Sequence, residues 1–527
     1  MSRASLVNLV RYRMVVAVMA GIAVFMSACG GSSNAVVSNQ SHTLKTAFSF
    51  DQGSLDPDSF YDAEALSITL QTYEGLVRYK NDSTPTIEPW LATSWTESSD
   101  GLTYTFHLRQ GVTFHDGTTM DSSTWKYDFQ RRVAVNGGPE YMVANVTTMD
   151  TPDPQTFVVH LSSPVSAFMH YMASPYGPKA ISPAALKANT AKNDSGQAWL
   201  ASHDAGTGPY QLTNVVPATT YVMQAYDKYW GPHPWYTTID ITQIPSFTTQ
   251  QLELRSGGLD VLMHGVITSA LPAFRSDSRF QVQEIPSIVR LNLWINPNLP
   301  PFTDPAVRRA VAQAIDRQKI IPTVFGDSAT VAHQMFTLNA LPAGQGMFEP
   351  TLDASVLKGL TGSLSTKKVD LAYTSDDPLN AQVAELVQTQ LSAAGLDVTT
   401  RGVTEQTTFA WPTNPQGRAN MLILPANPDD ADASAWATLF YAQNGGLSYF
   451  APVNTAADGL IQKGLGDVDP ATVLSDYSQA ADAYKNSGDF IPLADEKEVA
   501  VARAGICGWL HDFSTLWTIR IQYLKPC

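Results

Sequence analysis

The amino-acid sequence predicts a mixed α/β fold without internal repeats. Its 527 residues are too many for one hydrophobic core and fit two large lobes or several small domains. Residues 101–118 alternate apolar and polar side chains on both sides of Gly111, a pattern that is typical of two paired strands. Residues 368–403 show a strand, a helix and a second strand in succession, and this order predicts a parallel strand pair.

The other elements are predicted from local signals along the chain. Residues 156–161 read as a further apolar strand. Aspartate followed by proline predicts two helix starts, at residues 304–305 and 377–378, because aspartate caps a first turn and proline fits the first helical position. Gly395 ends the second of these helices before a strand over 396–403. The sequence has no long linker, which favours two intertwined lobes over separate domains.

The charge balance argues against a nucleic-acid partner. The chain carries 33 Lys and Arg against 48 Asp and Glu, which gives a formal net charge of −15 at pH 7. Such an acidic chain lacks the positive field that binding to a nucleic-acid backbone requires. Hydrophobic residues make up 44% of the chain, enough for an extensive core, and we therefore expect an ordered protein.

The first thirty residues predict export from the cytoplasm. Residues 1–28 read as a signal peptide, in which three arginines precede an uncharged stretch over 14–26 and small residues follow. That stretch is too short to cross a bilayer, although a short anchor or a buried helix would also be apolar. Residues 26–29, Met-Ser-Ala-Cys, resemble the lipobox of bacterial lipoproteins. The resemblance implies cleavage before Cys29, lipid on this residue, and a flexible tether over 29–42.

Two further cysteines, Cys507 and Cys527, lie near the end of the sequence. In an oxidising compartment such a pair is bridged more often than free, and we predict a disulfide between them. The alternative is two unrelated thiols. The ten histidines are scattered, and the sequence has no Cys-x-x-Cys or His-Glu-x-x-His motif. We therefore expect neither a metal site nor another cofactor.

Common catalytic motifs are missing from the sequence. It has no Gly-x-Ser-x-Gly nucleophile motif, no phosphate-binding Gly-x-x-x-x-Gly-Lys loop and no complete Gly-x-Gly-x-x-Gly. The acidic residues Asp429, Asp430 and Asp432 would suit the paired carboxylates of a hydrolase or a cation site. They follow an Asn-Pro turn signal, however, and acids in a turn are more often solvated or capping. We therefore expect a protein that is not an enzyme.

Short motifs follow one another in a specific order along the sequence. They are Ser54-Leu55-Asp56-Pro57, Tyr73-Glu74-Gly75-Leu76, Pro89-Trp90-Leu91-Ala92, Asp100-Gly101-Leu102-Thr103, Phe114-His115-Asp116-Gly117, Gly206-Thr207-Gly208-Pro209-Tyr210, Tyr229-Trp230-Gly231, Gly258-Leu259-Asp260-Val261, Pro301-Phe302-Thr303-Asp304 and Ala314-Ile315-Asp316-Arg317. Each motif is weak by itself, but together they resemble family 5 of the extracellular solute-binding proteins. This family includes the oligopeptide and dipeptide receptors of bacterial ABC importers.

The resemblance implies a two-lobe fold of the periplasmic-binding-protein type (class II, large peptide-binding form). In this fold, two α/β lobes close on a ligand cleft by a hinge. The chain is expected to cross between the lobes near residues 290–296 and to return near 491–501. We accordingly expect a first lobe with an extra subdomain over 43–290, a second lobe over 291–490, and a return to the first lobe over 491–527.

The resemblance also implies a function. The protein would bind peptides or peptide-like solutes outside the cytoplasmic membrane and deliver them to the permease of an ABC transporter. It would act as a monomer held to the outer face of the membrane by its lipid. A receptor of the same fold for a sugar, a metal chelate or a signalling peptide is one alternative, and a secreted hydrolase is another. The residues expected in the ligand cleft are Gln52, Ser54, Tyr61, Trp411, Asp429, Asp430, Trp436 and Tyr441.

One segment departs from the family pattern. Peptide receptors of this family commonly carry an aspartate that meets the charged amino terminus of the peptide, and the matching position here is Ala426. Either Asp429 or Asp430 takes over that role from a shifted turn, or the ligand has no free α-amine there. We expect the second, because an alanine cannot neutralise a buried ammonium group. The three aromatic residues of the expected cleft would then supply the binding surface, unless they belong to the core of the second lobe.

The lipobox resemblance predicts that Cys29→Ala releases the protein from the membrane and leaves its fold unchanged. The reason is that no other stretch of the sequence is long and apolar enough to hold the protein in a bilayer. Fractionation of cells into membrane and soluble material, with wild type and Ser27→Ala in parallel, measures the release. A Cys29→Ala variant that stays with the membranes after a salt wash would show that the anchor lies elsewhere.

Overall fold

The fold is that of a computed structural model, which describes residues 42–49, 54–59, 65–80, 85–264, 266, 268–337, 339–375 and 377–527. The strands in this part of the chain are β1 (Thr43–Phe48), β2 (Val77–Tyr79), β3 (Ile87–Pro89), β4 (Ala92–Glu97), β5 (Thr103–Leu108), β6 (Val146–Asp153), β7 (Thr156–Leu161), β8 (Tyr210–Val216), β9 (Thr220–Ala225), β10 (Thr238–Gln243), β11 (Val261–Leu262), β12 (Phe280–Ile295), β13 (Ala329–Val331), β14 (Lys368–Thr374), β15 (Asp397–Val403), β16 (Met421–Ala426), β17 (Phe490–Arg503), β18 (Ile506–Cys507) and β19 (Lys525–Pro526).

The α-helices of the same residues lie between these strands. They are α1 (Leu66–Thr72), α2 (Ser122–Val135), α3 (Phe168–Ala173), α4 (Pro183–Asn189), α5 (Gln197–Leu200), α6 (Phe247–Ser256), α7 (Leu271–Arg275), α8 (Pro305–Ala314), α9 (Arg317–Phe325), α10 (Ala354–Leu360), α11 (Pro378–Ala393), α12 (Glu405–Phe409), α13 (Ala433–Trp436), α14 (Thr455–Leu465) and α15 (Pro470–Ser487). Within the described ranges, none of the helices combines the length and apolar character that a membrane span needs.

Two four-stranded sheets lie within residues 43–243, the part of the chain that is expected to form the first lobe. One has the order β1-β10-β9-β8, in which β1 and β10 are parallel and the other pairs are antiparallel. The second is antiparallel and has the order β4-β5-β7-β6. The predicted strands at β5 and β7 are confirmed, because every second side chain along each of them is buried.

The predicted strand pair within residues 101–118 is wrong. β5 pairs with β4 and β7 and not with the segment that follows it. That segment turns back on itself through an isolated bridge between Thr113 and Thr119. Val112 and Phe114 are buried because they pack into the same core as β5. The alternation of apolar residues in this segment therefore reflects burial in a turn and not pairing with β5.

The third sheet contains the strand–helix–strand unit predicted from the sequence. Its order is β11-β17-β12-β16-β14-β15, with β13 paired to β17. β14, α11 and β15 follow one another, and the two strands are parallel, as predicted. Asp377 caps α11 by accepting a hydrogen bond from the backbone N–H of Leu379 at 2.8 Å. Gly395 follows the helix with a φ of 99°, a conformation that residues with side chains disfavour.

β12 and β17 are the longest paired strands of this sheet. They contain 16 and 14 residues and pair antiparallel along most of their length. Their register is interrupted between Pro286 and Arg290, where the Ser287 hydroxyl donates to the backbone carbonyl of Glu496 at 2.9 Å. The two chain regions that the sequence analysis expects to cross between lobes fall within these two strands or end one residue beyond β12.

The buried apolar residues separate into two sets at these strands. One large cluster is drawn from residues 291–494. Among the described residues, the other clusters draw on 44–288 and 501–524, together with Ala431. One large cluster on one side of a shared strand pair and four further clusters on the other side, counted among the described residues, are the physical basis of a two-lobe fold.

Glu74 brings several of the sequence motifs of the first lobe together. Its buried carboxylate accepts four hydrogen bonds at 2.7–3.0 Å, from Trp90, Thr207, Tyr229 and Trp230. Burial raises the pKa of Glu74, and the four donors oppose that rise. Because the donors come from three separate motifs, those motifs hold the lobe together through one shared acceptor.

A second buried network fixes the segment that contains Asp56 and Asp58. Arg131 lies 2.6 Å from Asp56 and 2.5 Å from Asp58, and Arg132 lies 2.9 Å from Asp58. All four side chains are almost inaccessible to water. Removing one partner of such a buried pair costs about 3–5 kcal/mol, since the other charge stays buried without compensation.

Cys507 and Cys527 form a disulfide, which confirms the pairing predicted from the sequence. Their Cα atoms lie 5.0 Å apart: Cys507 ends β18, and Cys527 directly follows β19, which pairs antiparallel with β18. The bridge closes a loop with a sequence separation of 20 residues, and Trp517 lies within this loop. The covalent bond therefore closes the segment between residues 507 and 527 into a loop.

We expect Cys527→Ser to lower the free energy of unfolding by about 3 kcal/mol, because the unfolded chain gains the freedom that the closed loop removes. Urea unfolding of wild type and variant, each with and without reductant, measures the change. Reductant should destabilise wild type and leave the variant unaffected. Alkylation of both thiols in the untreated wild-type protein would contradict the disulfide.

Candidate functional site

A cavity of about 190 Å³ lies beside the paired strands and is lined from both lobes. Phe247, His264 and Trp517 come from the chain regions expected in the first lobe, Glu496 and Glu498 from β17, and Asp377 from the start of α11 in the expected second lobe. Cavities at the junction of two domains are common ligand sites, because a ligand there can contact both. We therefore take this cavity as the candidate functional site.

Glu496 and Glu498 are two of the four acidic residues that line the cavity, together with Asp377 and Glu405. Because side chains alternate along a strand, these two residues project from the same face of β17. Burial raises the pKa of each to about 8, and for Glu496 the nearby charges of Asp377 and Glu498 add to the rise. Glu498 is only 8% exposed, and its carboxylate accepts a hydrogen bond from the backbone N–H of Trp517.

Asp377 lines the same cavity from the second lobe. Its cap to α11 holds the carboxylate in place, and Asn380 in the first turn of that helix donates to the Thr374 hydroxyl at 2.9 Å. Burial raises the pKa of Asp377, while the cap and the nearby His264 lower it. The start of α11 therefore adds a third carboxylate to the two on β17.

Aromatic rings form the first-lobe wall of the cavity. The rings of His264 and Trp517 are stacked with centroids 3.9 Å apart, and Phe247 meets His264 edge-on at 5.3 Å. Trp517 has a φ of 52°, in the left-handed region that bulky residues rarely adopt. Strained backbone of this kind often occurs at functional sites, where the surrounding structure maintains it. The wall can stack on a flat or cationic group of a ligand.

The acidic loop of residues 429–432 lies outside the cavity and contacts the first lobe. The Tyr141 hydroxyl donates to the Asp429 carboxylate at 2.7 Å, and the Ser174 hydroxyl donates to the Asp429 carbonyl at 2.6 Å. The backbone N–H of Ala431 donates to the Tyr79 hydroxyl at 3.0 Å. Asp429 therefore takes part in a contact between the two lobes.

Asp430 and Asp432 have different surroundings in this loop. Asp432 accepts from the backbone N–H of Ser434 at 2.8 Å and so caps α13, as expected for an acid in a turn. Asp430 is fully buried, and burial together with the charge of Asp432 raises its pKa well above the usual value. One oxygen of Asp430 accepts from the backbone of Asp432, and the other has no partner among the described residues.

The three aromatic residues expected in the cleft lie in the hydrophobic core. Trp411, Trp436 and Tyr441 are at most 2% exposed and belong to the large cluster of the second lobe. The Tyr441 ring stacks on Phe490 at 3.9 Å, and its hydroxyl donates to the carbonyl of Met335. This is the alternative that the sequence analysis left open, and none of the three lines the described cavity.

The remaining residues expected in the cleft have separate positions. Ser54 is half-buried in a turn, where its hydroxyl accepts from the backbone N–H of Asp56 at 3.3 Å. Gln52 and Tyr61, like the expected lipidation site Cys29, lie outside the described residues. Ser54, Asp429 and Asp430 are not among the residues that line the cavity.

Sequence reasoning missed the glutamates, the histidine and the tryptophan that do line the cavity. A signal for the glutamates is present: residues 495–498 read Asp-Glu-Lys-Glu between the apolar stretches 490–494 and 499–502 of β17. Four charged residues inside a strand of this length are unusual and suggest a polar cavity. For His264 and Trp517 no comparable signal exists, because they are 253 positions apart in the sequence and meet only in the fold.

Comparison with known proteins gives a family match over most of the chain. Residues 86–448 match the family described as "Bacterial extracellular solute-binding proteins, family 5 Middle". The chain is 25% identical over 447 residues to the "Probable D,D-dipeptide-binding periplasmic protein DdpA" of Escherichia coli (strain K12), covering 82% of this chain and 84% of that protein. It is 25% identical over 477 residues to the "Glutathione-binding protein GsiB" of the same strain, covering 86% and 89%.

Solved structures show the same fold. A periplasmic binding protein DppA from Helicobacter pylori, in complex with the peptide STSA, superposes with a TM-score of 0.78 at 21% identity, covering 92% of this chain and 98% of that one. NikA from Brucella suis, in complex with Fe(III)-EDTA, superposes with a TM-score of 0.81 at 22% identity, covering 92% and 100%. These similarities confirm the expected two-lobe periplasmic-binding-protein fold.

The raised pKa values predict how the ligand-free protein responds to pH. In the folded state, Glu496 and Glu498 hold protons up to a pKa of about 8, whereas a glutamate in an unfolded chain has a pKa near 4.5. Their contribution to stability is therefore fully present below about pH 4.5 and is lost as the pH rises through 8. Between pH 4.5 and 8, the free energy of unfolding should fall by up to about 1.4 kcal/mol per pH unit for each of the two groups.

We expect Glu496→Gln and Glu498→Gln each to make stability less dependent on pH, since a glutamine has no proton to lose. Urea unfolding of ligand-free protein at several pH values between 5 and 8 measures the slope. Glu385→Gln, which changes an exposed residue of α11, is the matched control and should keep the wild-type slope. Equal slopes for all three variants and wild type would contradict the raised pKa values.

Proposed function

Because the chain belongs to family 5 of the bacterial extracellular solute-binding proteins, we propose that it captures peptides or peptide-like solutes for an ABC importer. Members of this family are binding proteins of ABC transporters and not enzymes. The protein would bind its ligand outside the cytoplasmic membrane and deliver it to the permease as a monomer.

The observation that carries this proposal is the cavity between the lobes. Its lining comes from the first lobe, from the paired strands and from the second lobe, so that a bound ligand would join all three. Binding that joins two lobes favours their closed arrangement, and closure is what a transporter can recognise. A receptor that delivers its ligand to a transporter needs ligand binding to be coupled to closure of the lobes in this way.

Peptides are the ligand class that the relatives support best. The curated relatives include proteins named for D,D-dipeptides and for glutathione. Solved relatives of this fold hold the peptide STSA or the dipeptide Met-Leu. The cavity of this chain offers carboxylates and stacked rings, which suit the charged and flat groups of peptide-like molecules.

A metal chelate is the second candidate ligand. The "Nickel-binding periplasmic protein" of Escherichia coli (strain K12) is 24% identical over 392 residues, which is 70% of this chain and 72% of that protein. The solved structure of NikZ from Campylobacter jejuni holds Ni(L-His). A metal held by amino-acid ligands could use the same polar cavity, with the protein contacting the organic part.

The place of the receptor and the limits of its lobes complete the proposal. We infer a lipid on Cys29 that holds the protein to the outer face of the cytoplasmic membrane, close to its permease. We place the first lobe at 43–290 and 491–527 and the second at 291–490. The division of the buried clusters between residues 291–494 and the remainder supports these limits.

Native mass spectrometry of protein purified from its own host tests the ligand class. We expect a series of bound peptides that is released on denaturation, because a peptide receptor retains its ligands through mild purification. Protein refolded after denaturation and washing is the control and should carry none. One defined metal chelate in place of the series would favour the second candidate, and turnover of a bound substrate would contradict a pure binding role.

A further inference from the structure

The charges that line the cavity are unbalanced. Lys497 also reaches the cavity, but its ammonium group is 3.3 Å from Glu284. In the described part of the chain, neither Glu496 nor Glu498 forms an ion pair or a hydrogen bond to another side chain. The only partner of Glu498 there is the backbone N–H of Trp517. Among the described residues, these two neighbouring carboxylates therefore face the cavity without a cation paired to either of them.

The depth of Glu498 makes this arrangement informative. At 8% exposure, its carboxylate is largely removed from water, and an ionised carboxylate in such a place is costly unless a cation accompanies it. Buried carboxylates elsewhere in this protein are compensated in different ways: Asp56 has a cation, Arg131, whereas Glu74 accepts four hydrogen bonds from neutral donors. Glu496 and Glu498 differ from Asp56 because the space opposite them is an open cavity.

The aromatic wall beside the glutamates has the chemistry that accompanies bound cations. Trp517 donates its backbone N–H to Glu498 and stacks its ring on His264, so that carboxylate and rings lie side by side. A carboxylate supplies the charge partner for an ammonium or guanidinium group, and a ring face adds a cation–π or stacking contact.

We propose that Glu496 and Glu498 form a subsite that selects solutes carrying an ammonium or guanidinium group. This inference rests on the proposed function and names the chemistry of the ligand. It also bears on the departure at Ala426, because the carboxylate that Ala426 cannot supply would come from β17 and a ligand with a free amine could then bind. Among the described residues, no three His, Cys, Asp or Glu side chains are arranged to hold a metal ion, which favours an organic cation over a bare metal.

Binding of a cation at this subsite has a proton signature. The ligand-free glutamates hold protons near neutral pH, and a cation would displace them because it favours the ionised form. Protons would therefore be released on binding at pH 7. The other charged or titratable groups around the pair are His264, Asp377, Glu405, Asp495 and Lys497.

Calorimetry with matched tripeptides tests the subsite. The probes are Ala-Arg-Ala and Ala-norleucine-Ala, each also in its N-acetylated form, titrated into wild type, Glu496→Gln, Glu498→Gln and the control Glu385→Gln. The comparison of arginine with norleucine reports a basic side chain, and acetylation reports the α-amine. Titration in two buffers of different ionisation enthalpy measures the protons released.

We expect wild type and Glu385→Gln to bind the cationic member of at least one matched pair about tenfold more tightly, with release of protons. Both glutamine variants should lose most of that ratio and of the proton release while still binding the neutral probes. The variants should fold, because glutamine has nearly the shape of the protonated glutamate that occupies each position in the ligand-free protein.

Each other result overturns a specific statement. Equal affinities of wild type for cationic and neutral probes would refute the subsite and leave the peptide receptor standing. An unchanged ratio in both variants would place the cation elsewhere. Tight binding of Ni²⁺ alone that both variants lose would replace the organic cation with a metal. Failure of folded wild-type protein to bind any probe would overturn the proposed function and this inference with it.

Discussion

The antiparallel pairing of β12 with β17 is the constraint on which the two-lobe structure depends. One strand enters the second lobe and the other leaves it, so that a single set of backbone hydrogen bonds belongs to both lobes. Each lobe can then build its own hydrophobic core around its end of the pair. The register is interrupted beside Val289, and this residue lines the cavity. The irregular part of the pair and the candidate site therefore coincide.

The same pairing explains how a run of charged residues can lie inside a mostly apolar sheet. Backbone hydrogen bonds to the neighbouring strands β12 and β13 keep residues 495–498 in the sheet, and these bonds do not depend on the side chains. Asp495 is neutralised by Arg290 at 2.6 Å and Lys497 by Glu284 at 3.3 Å. In the part of the chain that the structure describes, no ion pair compensates Glu496 or Glu498, and this lowers the stability of the ligand-free protein. Buried groups that lower the stability of the folded protein are typical of ligand sites.

How far the sequence predicts the structure depends on how local each signal is. Asp377 and Gly395 mark the two ends of α11 because capping involves only near neighbours in the chain, and the prediction is confirmed. The segment around Phe114 was misread, since burial in a turn and pairing in a sheet leave the same apolar alternation. Trp436 illustrates a further ambiguity, because an aromatic residue suits a ligand cleft and a hydrophobic core equally well.

The sequence by itself determined the fold class, the family and the disulfide, because each is expressed in spacing and order along the chain. Only the tertiary structure decided which carboxylates share a cavity, since Asp377 and Glu496 are brought together by strands and helices that no local pattern relates. The same holds for Glu74, whose four donors are spread over 141 positions of sequence. A ligand site depends on distances between side chains and on the exclusion of water, and neither of these can be read from the order of residues along the chain.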